Sequence, residues 1–262
     1  VVENVPLAER TFRLRLVAPT VAARIRPGQF VMVRLPGNDP LLGRPFALYD
    51  TFDAATGQRH GLEVVYLVVG KLTTRLADLS AGARVELVGP LGQPFPDLLS
   101  PLVNCVAGGI GQTPFVAYTR HLLGTRSYGG QPAQRRADAV RLYYGVRTQR
   151  LAASADFLAA GADVRLATDD GSAGFAGRVT TLLEQEAPAG PLLGCGPEPM
   201  LHALTELAQR WQRPCWVSLE TPMACGVGAC FSCVTRVRTV DGWDYRRVCV
   251  EGPTFPAEQL VW

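Results

Sequence analysis

Three cysteines within nine residues, Cys225, Cys230 and Cys233, and a fourth at Cys249 after an interval of fifteen, constrain this chain more than any other feature. Four and then two residues separate the first three, and Gly226, Val227, Gly228 and Ala229 fill the wider gap. A C-x4-C-x2-C run with a distant fourth cysteine is the spacing that holds a [2Fe–2S] cluster. Glycines at 226 and 228 let the backbone wrap closely and aim N–H groups at sulfur, which tunes such a centre. Zinc is the alternative for four thiols, but structural zinc sites pair two short knuckles, and here Cys249 stands alone. A framework of disulfides fits less well, because nothing in the sequence marks a secreted chain.

At 262 residues the chain is long enough for two compact domains with a small third module, expected at 1–98, 99–214 and 215–262. The formal net charge of +3 gives no electrostatic case for nucleic acid or a membrane surface as partner. No apolar run approaches the roughly 18 residues of a spanning helix. No basic-then-apolar leader opens the sequence, and a reducing, cytoplasmic setting is expected from the cysteine pattern.

Over the first hundred residues the pattern is that of strands. Arg10–Val17 alternates Phe12, Leu14 and Leu16 with polar residues. Gln29–Leu35, Phe46–Tyr49, Leu62–Val69 and Arg84–Val88 follow between turns, and short strands so spaced predict a closed antiparallel barrel. Two stretches there carry chemistry. In Arg44-Pro45-Phe46-Ala47 a guanidinium fork suits a pyrophosphate and proline fixes the strand beside it, although an Arg-Pro step also serves as a plain turn. In Val69-Gly70-Lys71-Leu72-Thr73-Thr74 a strand gives way to a helix expected over Thr74–Leu79, where N–H groups and hydroxyls suit a phosphate; simple capping by threonine reads equally well.

From Leu102 the texture changes to alternating strand and helix, which predicts a parallel sheet with crossover helices. The apolar strand Leu102–Ala107 runs into Gly108-Gly109-Ile110-Gly111-Gln112-Thr113-Pro114 and then the helix Phe115–Leu123. Strand, glycine turn and helix let a pyrophosphate reach backbone N–H groups, though the spacing is not G-x-G-x-x-G. Strands at Val140–Gly145, Asp163–Thr168 and Leu192–Cys195 alternate with helices at Leu151–Ala160 and Arg178–Glu186. Ligands bind at the carboxyl ends of such strands, which groups the glycine turn with Asp169-Asp170 and with Cys195-Gly196-Pro197. Carboxylates at 169 and 170 would accept from ribose hydroxyls and repel a 2′-phosphate, favouring NAD over NADP; a solvated acidic turn is the alternative. Cys195 is either a buried small hydrophobe or a nicotinamide contact. Cys105 and Cys215 read as packing, and His60, His121 and His202 have neither metal spacing nor nucleophile partners.

Taken in order, these motifs resemble the ferredoxin–NADP reductase superfamily, and within it the electron-transfer subunits of NAD-dependent dihydroorotate dehydrogenases. Gly89-Pro90-Leu91-Gly92, Thr168-Asp169-Asp170-Gly171-Ser172, Cys195-Gly196-Pro197-Glu198-Pro199-Met200, Ser218-Leu219-Glu220 and the C-terminal position of the cysteines add to the likeness. The resemblance implies FAD on the barrel: Arg44, Pro45, Phe46 and Ala47 at its pyrophosphate and ring, Val65, Tyr66 and Leu67 behind the ring, Leu72 and Thr73 at the phosphate. It implies NAD(H) over Gly108, Gly109, Gly111 and Gln112, with Asp169 and Asp170 at the ribose and Cys195 as the catalytic contact to nicotinamide. Cys225, Cys230, Cys233 and Cys249 would hold [2Fe–2S], with the edge Val227–Phe231 turned to a partner.

That partner is implied to be an FMN-containing dihydroorotate dehydrogenase subunit, in a heterotetramer of two plus two serving pyrimidine biosynthesis. Ala47 departs from the serine common in the superfamily, and Leu72 from the glycine of Gly-Lys-Gly-Thr. A reductase subunit of another complex (hydrogenase, sulfite reductase or NADH-dependent ferredoxin–NADP reductase) has the same architecture. A flavin-free module that binds a cluster or zinc is the alternative from another class.

Overall fold

The computed structural model describes residues 1–37 and 39–262. Seven strands form the first part: β1 (Glu3–Ala8), β2 (Thr11–Val17), β3 (Phe30–Arg34), β4 (Arg44–Ala47), β5 (Asp50–Asp53), β6 (Arg59–Leu67) and β7 (Glu86–Leu91). A single turn of helix, α1 (Pro19–Ala22), and a longer one, α2 (Lys71–Ala77), punctuate them. The expected barrel is built as two antiparallel sheets, β1-β2-β6-β5 and β4-β3-β7. Leu14 and Leu16 from β2, Val31 and Val33 from β3, and Leu62 and Val64 from β6 fill the space between them. The alternation seen in the sequence is what sends these side chains to one face. The helix expected at Thr74–Leu79 begins earlier, at Lys71. Gly70 ends the extended segment, and the Thr73 hydroxyl accepts the N–H groups of Val69 and Gly70 at 3.0 and 3.1 Å, which fixes the start.

The second part contains β8 (Ser100–Gly108), α3 (Phe115–Leu122), β9 (Ala137–Val146), α4 (Ala155–Ala160), β10 (Asp163–Thr168), β11 (Phe175–Ala176), α5 (Val179–Glu186), β12 (Leu192–Cys195), α6 (Glu198–Arg210) and β13 (Cys215–Ser218). Then come the hairpin β14 (Val234–Thr239) and β15 (Gly242–Arg247), and β16 (Thr254–Pro256). Strand order in the large sheet is β11-β10-β9-β8-β12-β13-β16, parallel throughout except for β16. Both faces are covered. Val106 and Tyr143 enter one core, whereas Cys105, Ala107, Leu142 and Tyr144 enter the other, as a two-sided parallel sheet requires.

The chain winds outward from β8 to β11 and then returns to place β12 and β13 on the opposite side of β8. The carboxyl ends of β8 and β12 therefore part at a switch of direction, where such sheets open a crevice.

The segment 215–262 carries the C-terminal cysteine-rich module and also completes the large sheet. β13 and β16 are strands of the large sheet, and Cys233, Val237, Cys249 and Leu260 share a core with Phe30, Met32, Leu204 and Val217. The β14–β15 hairpin and the cysteine loop stand outside the sheet. Pairing of strands so distant in sequence leaves no local signature.

Candidate functional site

A cavity of about 830 Å3 lies where the antiparallel sheets, the switch of the parallel sheet and the cysteine loop meet. That volume lies within the range of small-molecule and cofactor sites, roughly 300–1,000 Å3. Arg44, Pro45, Phe46 and Ala47 line it, with Val65, Tyr66 and Leu67 from the neighbouring β6 and Leu72 and Thr73 from α2. All nine residues assigned to FAD by resemblance thus face one space. Pairing explains it: β4 lies against β3 in the smaller sheet, and β4 also packs on β6 of the larger one. The Phe46 ring rests 5.9 Å from that of Tyr66, whose other neighbour is the stacked Phe12 at 5.8 Å. The hydroxyl of Tyr66 donates to Asn4 at 3.0 Å, and burial pushes its pKa up to about 12, so it is neutral at physiological pH. The Arg44 guanidinium is exposed and donates to the carbonyls of Leu42 and Gly43 at 3.1 and 2.9 Å, which holds it at the edge of the cavity.

The glycine turn forms the far side. Cys195 pairs with Ala107 across β12 and β8, and with Ser218 across β12 and β13. A side chain at Gly111 would put its Cβ 2.4 Å from the Cys195 carbonyl, and one at Gly108 would strike Pro197 and Met200. These two glycines are needed for the two strand ends to approach each other. Ile110, Thr113 and Pro114 line the cavity beside Cys195, while Gly108, Gly109, Gly111 and Gln112 do not border it. Gln112 is 1% exposed, and neither end of its amide has a hydrogen-bond partner. Asp169 and Asp170 lie two strands further out, about 10 Å at normal strand spacing, and do not border the cavity. Asp170 accepts the N–H and hydroxyl of Ser172 at 3.0 and 2.6 Å, bonds that hold its carboxyl below the usual range and brace the turn.

Residues 218–224 form the third wall, although only Ser218-Leu219-Glu220 stands out in the sequence and there without a role. Glu220 is solvent-exposed on the cavity side, yet desolvation by the protein packed around it raises its pKa. The Cys195 thiol is 4% exposed, and burial pushes its pKa far up, with the Glu220 charge adding to the effect. It is a neutral thiol at the cavity wall, not a nucleophilic thiolate. Only pairing of β13 with β12 brings Ser218 and Glu220 to Cys195, so no sequence spacing could reveal them.

From Ala224 the wall runs directly into Cys225. Among the described residues, no three Cys, His, Asp or Glu side chains converge on a single metal centre. Cys225 and Cys230 lie toward the surface of the loop, whereas Cys233 and Cys249 are buried against the core. Gly226 and Gly228 hold φ of 73° and 83°, where a Cβ would strike Met32 and Val250. The Val227 N–H reaches the Cys225 sulfur at 3.4 Å. The Ser232 hydroxyl, 3.2 Å from the Cys230 sulfur, helps to lower that thiol to about 6. Val227 and Phe231 are 55% and 60% exposed, and the Arg247 guanidinium lies 5.2 Å over the Phe231 ring.

Two antiparallel sheets, a doubly wound parallel sheet and a cavity at their junction define a ferredoxin reductase-like flavoprotein fold. The structure of an NADH-dependent reduced ferredoxin–NADP oxidoreductase superposes with a TM-score of 0.83 at 27% identity, covering 100% of this chain and 89% of that one. Phthalate dioxygenase reductase shares the fold with a TM-score of 0.64 at 19% identity, over 91% and 85% of the two chains. Residues 2–95 match the oxidoreductase FAD-binding domain, and residues 220–261 the iron–sulfur cluster binding domain of dihydroorotate dehydrogenase B. The electron transfer subunit of dihydroorotate dehydrogenase B (NAD(+)) from Geobacillus thermodenitrificans is 38% identical over 100% of this chain and 96% of its own length. That of Desulforamulus reducens is 35% identical over 98% and 94%. This chain belongs to the family of dihydroorotate dehydrogenase B electron transfer subunits.

Proposed function

We propose that this chain passes electrons between a partner FMN-containing dihydroorotate dehydrogenase and NAD+, using FAD in the central cavity and [2Fe–2S] on the four cysteines. One observation carries the reading. A single cavity has walls from the flavin-domain strands, from the strand end carrying Cys195, and from the segment that leads into Cys225. A flavin exchanges hydride with nicotinamide and single electrons with an iron–sulfur centre, and so belongs between the two.

The residues divide the work accordingly. Arg44 presents a guanidinium at the cavity edge for a pyrophosphate. Phe46, Ala47 and the β6 backbone offer a flat apolar face for the ring. The neutral Cys195 thiol and the small Ser218 keep the opposite wall low, and Glu220, its pKa raised, is suited to hold a proton there. Gly108, Gly109 and Gly111 bring backbone close to a dinucleotide, and the position of Asp169 and Asp170 two strands out suits its adenosine end. The C-x4-C-x2-C spacing with a distant fourth cysteine suits two irons sharing four thiolates better than one zinc. Ala47 leaves a backbone N–H in place of a side-chain hydroxyl at the ring. The exposed Val227–Phe231 edge, continued by Trp243 and Tyr245 on the hairpin, is the face offered to the catalytic subunit, in a cytoplasmic assembly of two plus two.

A second reading, a reductase subunit of another complex, is favoured by the likeness at 27% identity to the ferredoxin–NADP oxidoreductase; the 38% identity to dihydroorotate dehydrogenase subunits weighs against it. The test is anaerobic NAD+ reduction by dihydroorotate with the catalytic subunit from the same organism. NADH is expected only when both proteins are present, and Cys230→Ser is expected to abolish coupling while NADH oxidation with an artificial acceptor persists. Flavin and cluster with no coupling to that subunit would overturn the pyrimidine assignment.

A further inference from the structure

The chain between the cavity and the four cysteines is tied by one hydroxyl. Ser232 Oγ accepts the N–H of Ala224 at 3.2 Å, lies 3.2 Å from Cys230 Sγ and is 3.3 Å from the Pro222 carbonyl. Pro222, Ala224 and Ser232 all line the cavity, and Ala224 precedes Cys225. The preceding residue, Phe231, is held at φ 56°, a left-handed conformation rare for an aromatic side chain. Such local strain persists only where its surroundings enforce it.

A hydroxyl has one proton and two lone pairs. The Ala224 N–H uses a lone pair, so the proton goes to the Pro222 carbonyl or to the Cys230 sulfur, and both are within reach. Once Cys230 is a metal-bound thiolate, the sulfur is the stronger acceptor, since hydrogen bonds to an ionised partner are about twice as strong as neutral ones. Hydrogen bonds to ligand sulfurs are among the terms that set the potential of an iron–sulfur centre. They favour the form with more negative charge on sulfur, which is the reduced one.

We propose that Ser232 is a positioning residue that donates its hydroxyl proton to the Cys230 thiolate and thereby raises the reduction potential of the cluster beside the flavin cavity. The inference rests on the reading of the four cysteines as a [2Fe–2S] site. The step that it tunes is the gain of one electron by the cluster. No bond is made or broken, and the proton stays on Ser232.

The experiment is a dithionite redox titration of the holoprotein, with the reduced cluster followed by EPR and the flavin by absorbance. Ser232→Ala is expected to lower the reduced-to-oxidised ratio of the cluster at fixed potential about tenfold, which is 59 mV for a one-electron couple. Ser232→Thr, which keeps the hydroxyl, is expected to restore the ratio, and the flavin midpoint is expected to stay put in both. An unshifted alanine variant, or alanine and threonine variants shifted alike, overturns the proposal.

Should the alanine variant take up no cluster, the wild type decides by proton ENDOR of the reduced cluster. A coupling lost immediately on transfer to D2O, as for a solvent-exposed hydroxyl and unlike a folded amide, supports the proposal, and its absence overturns it. A wild-type protein that holds no iron overturns the cysteine reading and the proposal with it. Iron with an unshifted alanine variant overturns the proposal alone.

Discussion

His121 shows how far a single residue's surroundings outrun its sequence context. In the sequence it has no partner. In the structure its Nε2 lies 2.6 Å from Asp97 Oδ1, its ring stacks on Tyr118, and Arg136 also reaches Asp97 at 3.1 Å. Burial lowers its pKa, opposed by the Asp97 hydrogen bond and aided by the charges of Arg136 and Arg26. The unfolded chain, with histidine near the ordinary value of about 6.5, therefore takes up a proton before the fold does. Stability is full above that value and is lost as pH falls through it toward the lowered folded pKa. Urea unfolding at pH 7.5 and 5.5 is expected to show a larger loss for wild type than for His121→Gln; equal losses would sink the argument. The four cysteines are the reverse case, because their spacing is itself written along the chain. Glu220 was silent for the opposite reason: its neighbour Cys195 is contributed by another strand.

At the scale of elements, strands and helices with strong periodicity were legible: the Asp163–Thr168 and Leu192–Cys195 strands stand where the pattern set them. β1 was not, because Glu-Asn-Val-Pro-Leu-Ala does not alternate, carries a proline, and pairs only along its β2 edge. Nor was the place of β13 and β16 in the large sheet, where pairing spans Cys215–Ser218 and Thr254–Pro256. The glycine turn was read for its chemistry, and its packing role is separable by substitution. At Gly111 a Cβ meets the backbone of Cys195 and Gly196 at 2.4–2.7 Å, whereas at Gly109, with φ 55°, it meets nothing within 4 Å. Gly111→Ala is therefore expected to cost about 1–3 kcal/mol through overpacking and to weaken NADH binding at least tenfold, because β8 and β12 must separate. Gly109→Ala bears only the left-handed backbone term of about 1–2 kcal/mol and leaves the crevice closed. Denaturant midpoints and NADH titrations of the two variants check this, and identical NADH affinities would refute it.

At the scale of the whole molecule, function depends on two sheet systems keeping one cavity at a fixed width, and a polar seam ties them. Tyr49 donates to Asp156 at 2.8 Å, and Arg13 reaches the same carboxylate at 3.4 Å. Arg59 reaches the Ser127 carbonyl at 2.9 Å, and Arg126 reaches Asp53 at 3.0 Å. At the centre is Asp50, 5% exposed, which accepts the Tyr128 hydroxyl at 2.7 Å and pairs with Arg120. None of this is readable from sequence, since each half sees only an unassigned charge. Exposed members of the seam contribute little, because solvent screens them. Asp50 differs: its removal strands a buried tyrosine hydroxyl and a guanidinium without their acceptor. Asp50→Ala is expected to cost about 3–5 kcal/mol, and Asp50→Asn less, because the amide oxygen still accepts from Tyr128. Urea unfolding of both variants measures the difference. A loss within about 0.5 kcal/mol for alanine, the range of ordinary surface changes, would mean that apolar packing of Tyr49, Val65, Phe95 and Phe115, rather than the charged seam, sets how the two halves meet.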